Sequence, residues 1–363
     1  MNRIPFLDLG AQHLSLKDDL RAAAARVLAS GSFILGPEVV AFERELAAEL
    51  GVAEAVGVSS GTDALTALLM AAGVGQGDEV VTTPYSFFAT VESIVRLGAR
   101  PVFADIEPET MNLDAAAAVA RVGSRTKAVL MVHLFGRVAG VGLPLRAACS
   151  AGDIPLLEDA AQAIGASGAR GGWGAALSFF PSKNLGGFGD GGAVTTNDAA
   201  LAAQVRALRN HGALQKLQHD RIGGNFRLDE LQAALLRVKL PHLSGWTAER
   251  RRLAALYRER LAGSPIGLPP PDAGCVWNQF VIRVPAARRD LLRRHLEERG
   301  IASAVYYPIP LHLQPALAFL GHRPGDFPNA ERAAEESLAL PIFPGLTDGD
   351  LSRVADAAGD FFR

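Results

Sequence analysis

Lysine is scarce in this chain, five against thirty-one arginines, so a lysine in an unusual place is the first residue to ask for chemistry. Lys183 lies in LSFFPSKNLGGFGDGGAVTT, directly after an apolar run and before a glycine-rich loop. A lysine desolvated at the end of a buried strand can have its pKa lowered, and an uncharged amine can condense with an aldehyde. The alternative is a loop lysine in a salt bridge. The same segment holds Gly187, Gly189 and Gly192 in the spacing G-x-G-x-x-G. A dinucleotide fingerprint must open a helix and be followed by an acid about twenty residues on. Here the glycines run into AVTT, which reads as a strand, so they are expected to turn the backbone tightly beside Lys183 rather than bind a dinucleotide.

Three further segments could act with that amine. In SSGTDALTALLMAAG at 59–73, a strand stops at Ser59 and a helix begins near Thr62. Ser60, Gly61 and Thr62 then offer backbone N–H groups at a positive helix end, which suits a phosphate; an ordinary Ser/Thr cap fits the same pattern. In PLLEDAAQAIGA at 155–166, Asp159 and Gln162 stand just past a buried strand. D-x-x-Q is a capping-box spacing, and it also puts a carboxylate at a strand end where it could pair with a protonated pyridine nitrogen. Glu158 points to the opposite face by strand alternation. In TPYSFFAT at 83–90, Phe87 or Phe88 could stack on a planar ring, or both could be core. Together these segments supply an amine, a phosphate cradle, a pyridinium partner and a ring platform, which are the requirements of pyridoxal 5'-phosphate.

The elements that must position these residues follow from pattern. Between Ala55 and Asn197 seven apolar runs (AVGVSS, EVVTTP, PVFADI, KAVLMVHLF, PLLEDA, LSFFP, AVTTN) alternate with helix-like stretches. Runs apolar at nearly every position suit strands buried on both faces and joined by crossover helices, so the fold class is α/β with a mostly parallel sheet. Gly223–Arg227 reads as a loop, and 228–263 as a long helical stretch interrupted at Pro241. SPIGLPPPDAG at 264–274 reads as a connector to WNQFVIRV, a helix at Ala286–Arg299, the run ASAVYYP and a closing helix near Asp348–Phe361. The expected division is a large domain at 1–245, including an N-terminal arm, and a smaller α+β domain at 246–363. Arginine repeats in the 250s and the 280s to 290s read as solvated helical faces.

Composition narrows the function classes. With 363 residues, 49% apolar and 20% charged, the chain is long enough for a sizeable core and far from a disordered composition. Thirty-six basic and thirty-eight acidic side chains leave a charge of -2, which offers no field for nucleic acid. Cys149 and Cys275 alone make neither a disulfide framework nor a metal site, so no metal is expected. The opening MNRIPFLDLG lacks a signal-peptide stretch and no run approaches a membrane span, so a cytoplasmic location is expected.

At these residues the chain resembles the DegT/DnrJ/EryC1/StrS family of sugar aminotransferases, pyridoxal-phosphate enzymes of the aspartate aminotransferase fold. The resemblance is carried by SGSFILGPEVVAFE, SSGTDAL, GQGDEVVTTPYSFFAT, LEDAAQAIGA, SFFPSKNLGGFGDGGAVTTND, LRNHG, GGNFRLDELQAA and YYPIPLHLQPA, spread over almost the whole length. It implies that Lys183 carries the cofactor covalently. Asp159 would keep the pyridine nitrogen protonated, Gln162 would face the ring hydroxyl side, and Phe87 would stack on the ring. Gly61, Thr62 and Ser178 would hold the phosphate. Asn225, in GGNFRLD, would reach the phosphate of a neighbouring subunit, which implies a homodimer with shared sites. His211, Tyr306, Tyr307 and His312 lie in segments that approach the sugar nucleotide in the family. Ser86 and Ser182 stand where threonine is frequent, and Gly172-Trp173-Gly174 replaces a frequent Gly-Asp pair.

The function so implied is transfer of an amino group, from glutamate, to a nucleotide-linked keto-sugar in amino-sugar biosynthesis, with Lys183 moving the proton as base and acid. Two alternatives stay open: a cofactor-binding regulator without turnover, and a sugar dehydratase of the same fold, against which Lys183 argues because such relatives carry histidine there. Asp8, Arg209 and His133 have no role at this level.

Overall fold

The protein is described by a computed structural model covering residues 3–166, 172–215 and 218–363. Seven strands build the central sheet: β1 (Glu54–Val58), β2 (Glu79–Thr82), β3 (Arg100–Phe103), β4 (Thr126–Val132), β5 (Leu156–Asp159), β6 (Gly174–Ser178) and β7 (Gly192–Thr196). Their order is β1-β7-β6-β5-β4-β2-β3. All neighbours are parallel except β7, which runs antiparallel to both β1 and β6. Strands β5, β6 and β7 are buried at every position, as expected where helices cover both faces.

Helices α1 (Leu9–Leu14), α2 (Lys17–Ser30) and α3 (Pro37–Leu50) precede the sheet, and α4 (Gly61–Ala71), α5 (Ala89–Arg96), α6 (Ala115–Val119), α7 (Gly142–Ala151) and α8 (Ala199–Leu208) are interleaved with or follow its strands. One face packs Val56, Val58, Val80 and Leu130 against Leu65, Leu68 and Leu69 of α4 and Leu201 and Val205 of α8. The other packs Ala55, Leu177 and Ala193 against Val39, Phe42 and Leu46 of α3. Alternation along each strand divides its apolar residues between these layers.

A short hairpin, β8 (Ala213–Gln215) and β9 (Gln218–His219), follows α8. The long helical stretch is α9 (Glu230–Lys239) and α10 (Leu243–Arg260), joined by a 3₁₀ turn at Leu240–His242 that carries Pro241. Proline has no N–H to continue the α ladder, so the helix restarts there. Beyond the proline-rich connector come β10 (Phe280–Arg283), α11 (Ala286–Glu298), α12 (Pro328–Glu336), β11 (Ser337–Leu340) and α13 (Asp348–Asp360). Tyr257, Phe280, Leu292, Leu338 and Val354 form their core, and Ile4 from the N-terminal segment packs into it.

Two expectations are corrected. Among the described residues no helix lies between β5 and β6 or between β6 and β7; residues 160–166 and 179–191 run through turns instead. The strand read at LSFFP lies earlier, at Gly174–Ser178, and Phe179 to Pro181 already belong to the turn before Lys183. In the run ASAVYYP only Ala304 bridges, to Ala339.

Candidate active site

The carboxyl ends of β1, β2, β4, β5 and β6 open on one edge of the sheet, where open α/β sheets place their ligand crevice. Beyond them is a cavity of about 580 Å³. Its wall includes Gly61, Thr62, Ser86, Phe87, Asp159, Gln162, Ser178 and Lys183 from the sheet edge, and Gln279, Tyr306 and Tyr307 from the C-terminal part. Residues spread over more than two hundred positions thus meet in one place, as the separate sequence signals require.

The start of α4 enters this wall with a tight cap. Ser60 Oγ accepts from Asp63 N at 3.0 Å, and the Asp63 carboxylate accepts from the Ser59 and Ser60 hydroxyls at 2.6 and 3.0 Å. The N–H groups of Gly61 and Thr62 belong to the first helical turn and have no acceptor within the helix. The packing admits no side chain at two glycines here. A Cβ on Gly61 would lie 2.7 Å from Ser178 Cβ, and one on Gly192 would lie 2.4 Å from the Ser60 carbonyl oxygen. Close approach of three segments therefore leaves backbone N–H groups and the Ser178 hydroxyl facing the cavity, a donor set that suits a phosphate.

Asp159 ends β5 beside them. Its Oδ2 accepts from the Thr90 hydroxyl at 2.8 Å, and its Oδ1 from Ala161 N at 3.2 Å. Burial pushes its pKa up, opposed by those two donors and by attraction to Lys183 and His133. Glu158 faces the other way, where its carboxylate meets His133 Nε2 at 3.0 Å and accepts from Gly172 N at 2.5 Å. Gln162 is no helix cap: its Oε1 accepts from Phe135 N at 2.6 Å and its Nε2 donates to Tyr307 Oη at 3.2 Å. The capping-box account of D-x-x-Q fails for want of a helix.

Burial lowers Lys183 from the usual 10.5 to about 8, with Asp159 pulling in the opposite direction. Asn184 Nδ2, on the next residue, donates to the Val276 carbonyl, and its Oδ1 accepts from Asn278. Gln232 of α9 holds the following glycine loop, accepting from Phe188 N and donating to the Asp190 carbonyl. Lys183 is thus held between two braced segments.

The two phenylalanines part company. Phe87 is 60% exposed on the cavity wall, whereas Phe88 packs against the core that contains Tyr85, Phe103 and Leu311. Tyr307 lies 6.4 Å from Phe87 in a tilted arrangement. His312 does not reach the cavity: it is buried, bonded to Glu331 at 3.1 Å and packed on Phe327. The sequence reading expected it at the sugar; the structure turns its side chain inward from a 3₁₀ turn, away from this cavity. His211 and Asn225 are exposed and lie outside this cavity; their backbones are joined by neighbouring contacts, His211 N to Gly224 O and the Asn210–Asn225 bridge.

Several groups escaped the sequence reading. Tyr85, fully buried, donates through its hydroxyl to the Tyr306 carbonyl at 2.6 Å and accepts from Tyr307 N at 2.9 Å. Gln279 lines the cavity and carries a buried Oε1 without a partner. The partners of Tyr85 are more than two hundred residues away along the chain, so no local pattern signals them. Of the residues left without a role, Asp8 caps α1 through Ala11 N, and Arg209 pairs with buried Glu43 and donates to Gly57 O.

The donor set fits pyridoxal phosphate: an amine of lowered pKa, a buried carboxylate, and a helix start with a hydroxyl beside it.

Comparison with known proteins gives the same direction. Residues 15–358 match the model of the DegT/DnrJ/EryC1/StrS aminotransferase family. The chain is 49% identical to "Erythromycin biosynthesis sensory transduction protein EryC1" of Saccharopolyspora erythraea, over 95% of each chain. It is 45% identical to the dTDP-3-amino-3,4,6-trideoxy-alpha-D-glucose transaminase of Streptomyces venezuelae, over 99% of this chain and 96% of that one. Its fold superposes with a TM-score of 0.95 on the crystal structure of S. venezuelae DesV in complex with a ketimine intermediate, at 43% identity and covering 100% and 99% of the two chains.

Proposed function

The chain belongs to the DegT/DnrJ/EryC1/StrS aminotransferase family, and on that premise we propose that it moves an amino group from glutamate to a keto-sugar carried on a nucleotide. The single observation that carries the reading is the burial of Lys183 and Asp159 in one cavity with the start of α4 in its wall. The similarity to a transaminase of a dTDP-linked sugar supports the substrate class.

Pyridoxal phosphate, when bound, supplies an electron-withdrawing ring and a carbon that carries the amino group between substrates. This chain's residues do the rest. Gly61 N–H, Thr62 N–H and Ser178 Oγ hold the phosphate, and Asp159 holds the proton on the ring nitrogen. Gln162 keeps one amide hydrogen beyond its bond to Tyr307, free for the ring hydroxyl. Phe87 would stack on the ring, with Tyr307 beside it on the cavity wall. Lys183 Nζ, more readily neutral than an exposed lysine because burial holds its pKa near 8, would take a proton from the donor's α-carbon and give it to the cofactor carbon that carries the amino group.

The proposed assembly is a homodimer with shared sites, in the cytoplasm. Among the described residues lining the cavity Lys183 is the only lysine or arginine, yet glutamate brings two carboxylates and the sugar nucleotide a charged diphosphate, so cations from a second copy would complete the pocket. Phe33, Ile34, Phe180, Phe188 and Leu231 are exposed, and Phe33, Ile34 and Phe188 are hydrogen-bonded or bridged to the first turn of α9, an apolar surface for that copy to cover. Two buried, unpaired cysteines suit a reducing compartment; among the described residues no helix is long and apolar enough to cross a membrane.

Mixing the protein with pyridoxal phosphate is expected to give a visible absorption band that L-glutamate bleaches, and Lys183→Ala is expected to give no such band. Keto-sugar nucleotides scored by mass then identify the acceptor. The relative named as a sensory transduction protein favours a second reading, a regulator without turnover; a band that glutamate leaves unchanged, with no aminated product from any acceptor, would select it.

A further inference from the structure

Behind Asp159 stands a chain of hydroxyls that the proposed reaction does not by itself require. Thr90, fully buried in the first turn of α5, donates to Asp159 Oδ2 at 2.8 Å. Ser86, on the cavity wall four residues earlier and ahead of the helix, lies 2.9 Å from Thr90 Oγ1. A threonine hydroxyl has one proton. With that proton on the carboxylate, Ser86 must donate to Thr90, and the dipoles align from the cavity wall through Thr90 to Asp159. Aligned bonds of this kind reinforce one another in a dry interior.

We propose that Thr90, with Ser86 behind it, is a positioning residue that keeps Asp159 ionised and its free lone pairs aimed at the cofactor's ring nitrogen. The inference rests on the reading of Asp159 given above. Burial works against ionisation at this carboxylate, and the Thr90 hydroxyl is the foremost of the influences that oppose it. The other groups facing Asp159 are Lys183, His133 and Tyr307, and none of them contacts Thr90 through a hydrogen bond. Among the described residues the only hydrogen-bond donors to the carboxylate are the Thr90 hydroxyl and Ala161 N–H. Losing Thr90 would leave Oδ2 bare, and the carboxyl would hold a proton that the ring nitrogen needs.

The test uses the full chain loaded with pyridoxal phosphate. Thr90→Val keeps the shape and removes the hydroxyl. Its expected effects are a cofactor Kd about tenfold weaker and an upward shift, by roughly one unit, in the pH midpoint of the visible band. The shift is upward because a less firmly protonated ring leaves less positive charge near the Lys183 linkage, which then keeps its proton to higher pH. Thr90→Ser restores both values, and Ser86→Ala moves the midpoint in the same direction by less. In an Asp159→Asn background, removing the Thr90 hydroxyl adds no further shift. A midpoint and Kd in Thr90→Val equal to the parent's would overturn the proposal. So would a shift of the same size in the Asp159→Asn background, since a merely structural role would not depend on the carboxylate. If Thr90→Val does not fold, Thr90→Ser and Ser86→Ala decide alone, and an unmoved midpoint in Ser86→Ala then counts against it. If the parent protein itself shows no band with the cofactor, the proposed function fails instead, and the two failures are distinguishable.

Discussion

Lys183 shows how burial converts a common side chain into a reagent. An exposed lysine is almost fully protonated at neutral pH, whereas here burial brings the amine to about 8, and the attraction of Asp159 stops it falling further. The sign of the pH dependence follows: the neutral amine grows as pH rises through that value. The rate at which the cofactor-free protein forms its visible band is therefore expected to rise about tenfold per pH unit below about 8 and to level off above it, measured by stopped-flow absorbance. A flat profile from pH 6 to 9 would contradict the lowered pKa. The scarcity of lysine made Lys183 conspicuous in the sequence, and its apolar run with a glycine loop behind it was legible as a buried strand end. Thr90 was not legible: a threonine in a run of apolar residues looks like any other until the fold sets it against a carboxylate.

At the scale of elements, the phosphate cradle depends on how closely β7 and β6 approach the turn between β1 and α4. Gly192 begins β7 opposite Val58 and Ser178, and its Cα faces the Ser60 carbonyl so closely that a methyl group has no room. Gly192→Ala must push the Ser60–Gly61 backbone aside. Overpacking of this kind costs about 1–3 kcal/mol, and the displaced N–H groups are expected to weaken cofactor affinity as well. Thermal unfolding and a cofactor titration measure the two effects separately; an unchanged Kd would mean that the α4 start does not bind the phosphate. The strands were readable because both faces are buried, giving continuous apolar runs. That residues 160–166 form no helix was not readable, since D-x-x-Q satisfies the local rules for a helix start and only the tertiary partners of Gln162, Phe135 N and Tyr307 Oη, take it out of that role.

On the scale of the whole molecule the cavity has a second wall, Tyr306 and Tyr307, and Tyr85 holds it to the sheet by bonds that span more than two hundred residues. Tyr85→Phe removes the acceptor of Tyr307 N–H and the donor to Tyr306 O, and is expected to cost about 1–3 kcal/mol and to raise the KM for the sugar nucleotide more than that for glutamate, as steady-state kinetics would show. Sharing of sites between copies has its own check. Coexpressed Lys183→Ala and Asn225→Ala chains should recover activity in mixed dimers, which form one intact site, and no recovery would remove Asn225 from the neighbour's pocket. From the sequence alone came the α/β class, the seven strands of the sheet, the lysine, the carboxylate and the helix start, because each is written in a local run of apolar, glycine or capping residues. Only the tertiary structure decided which aromatic faces the cavity, that His312 turns into the core, and that Thr90 and Tyr85 brace the site. Those outcomes depend on contacts between segments far apart along the chain, and local pattern carries no record of which distant group a side chain will meet.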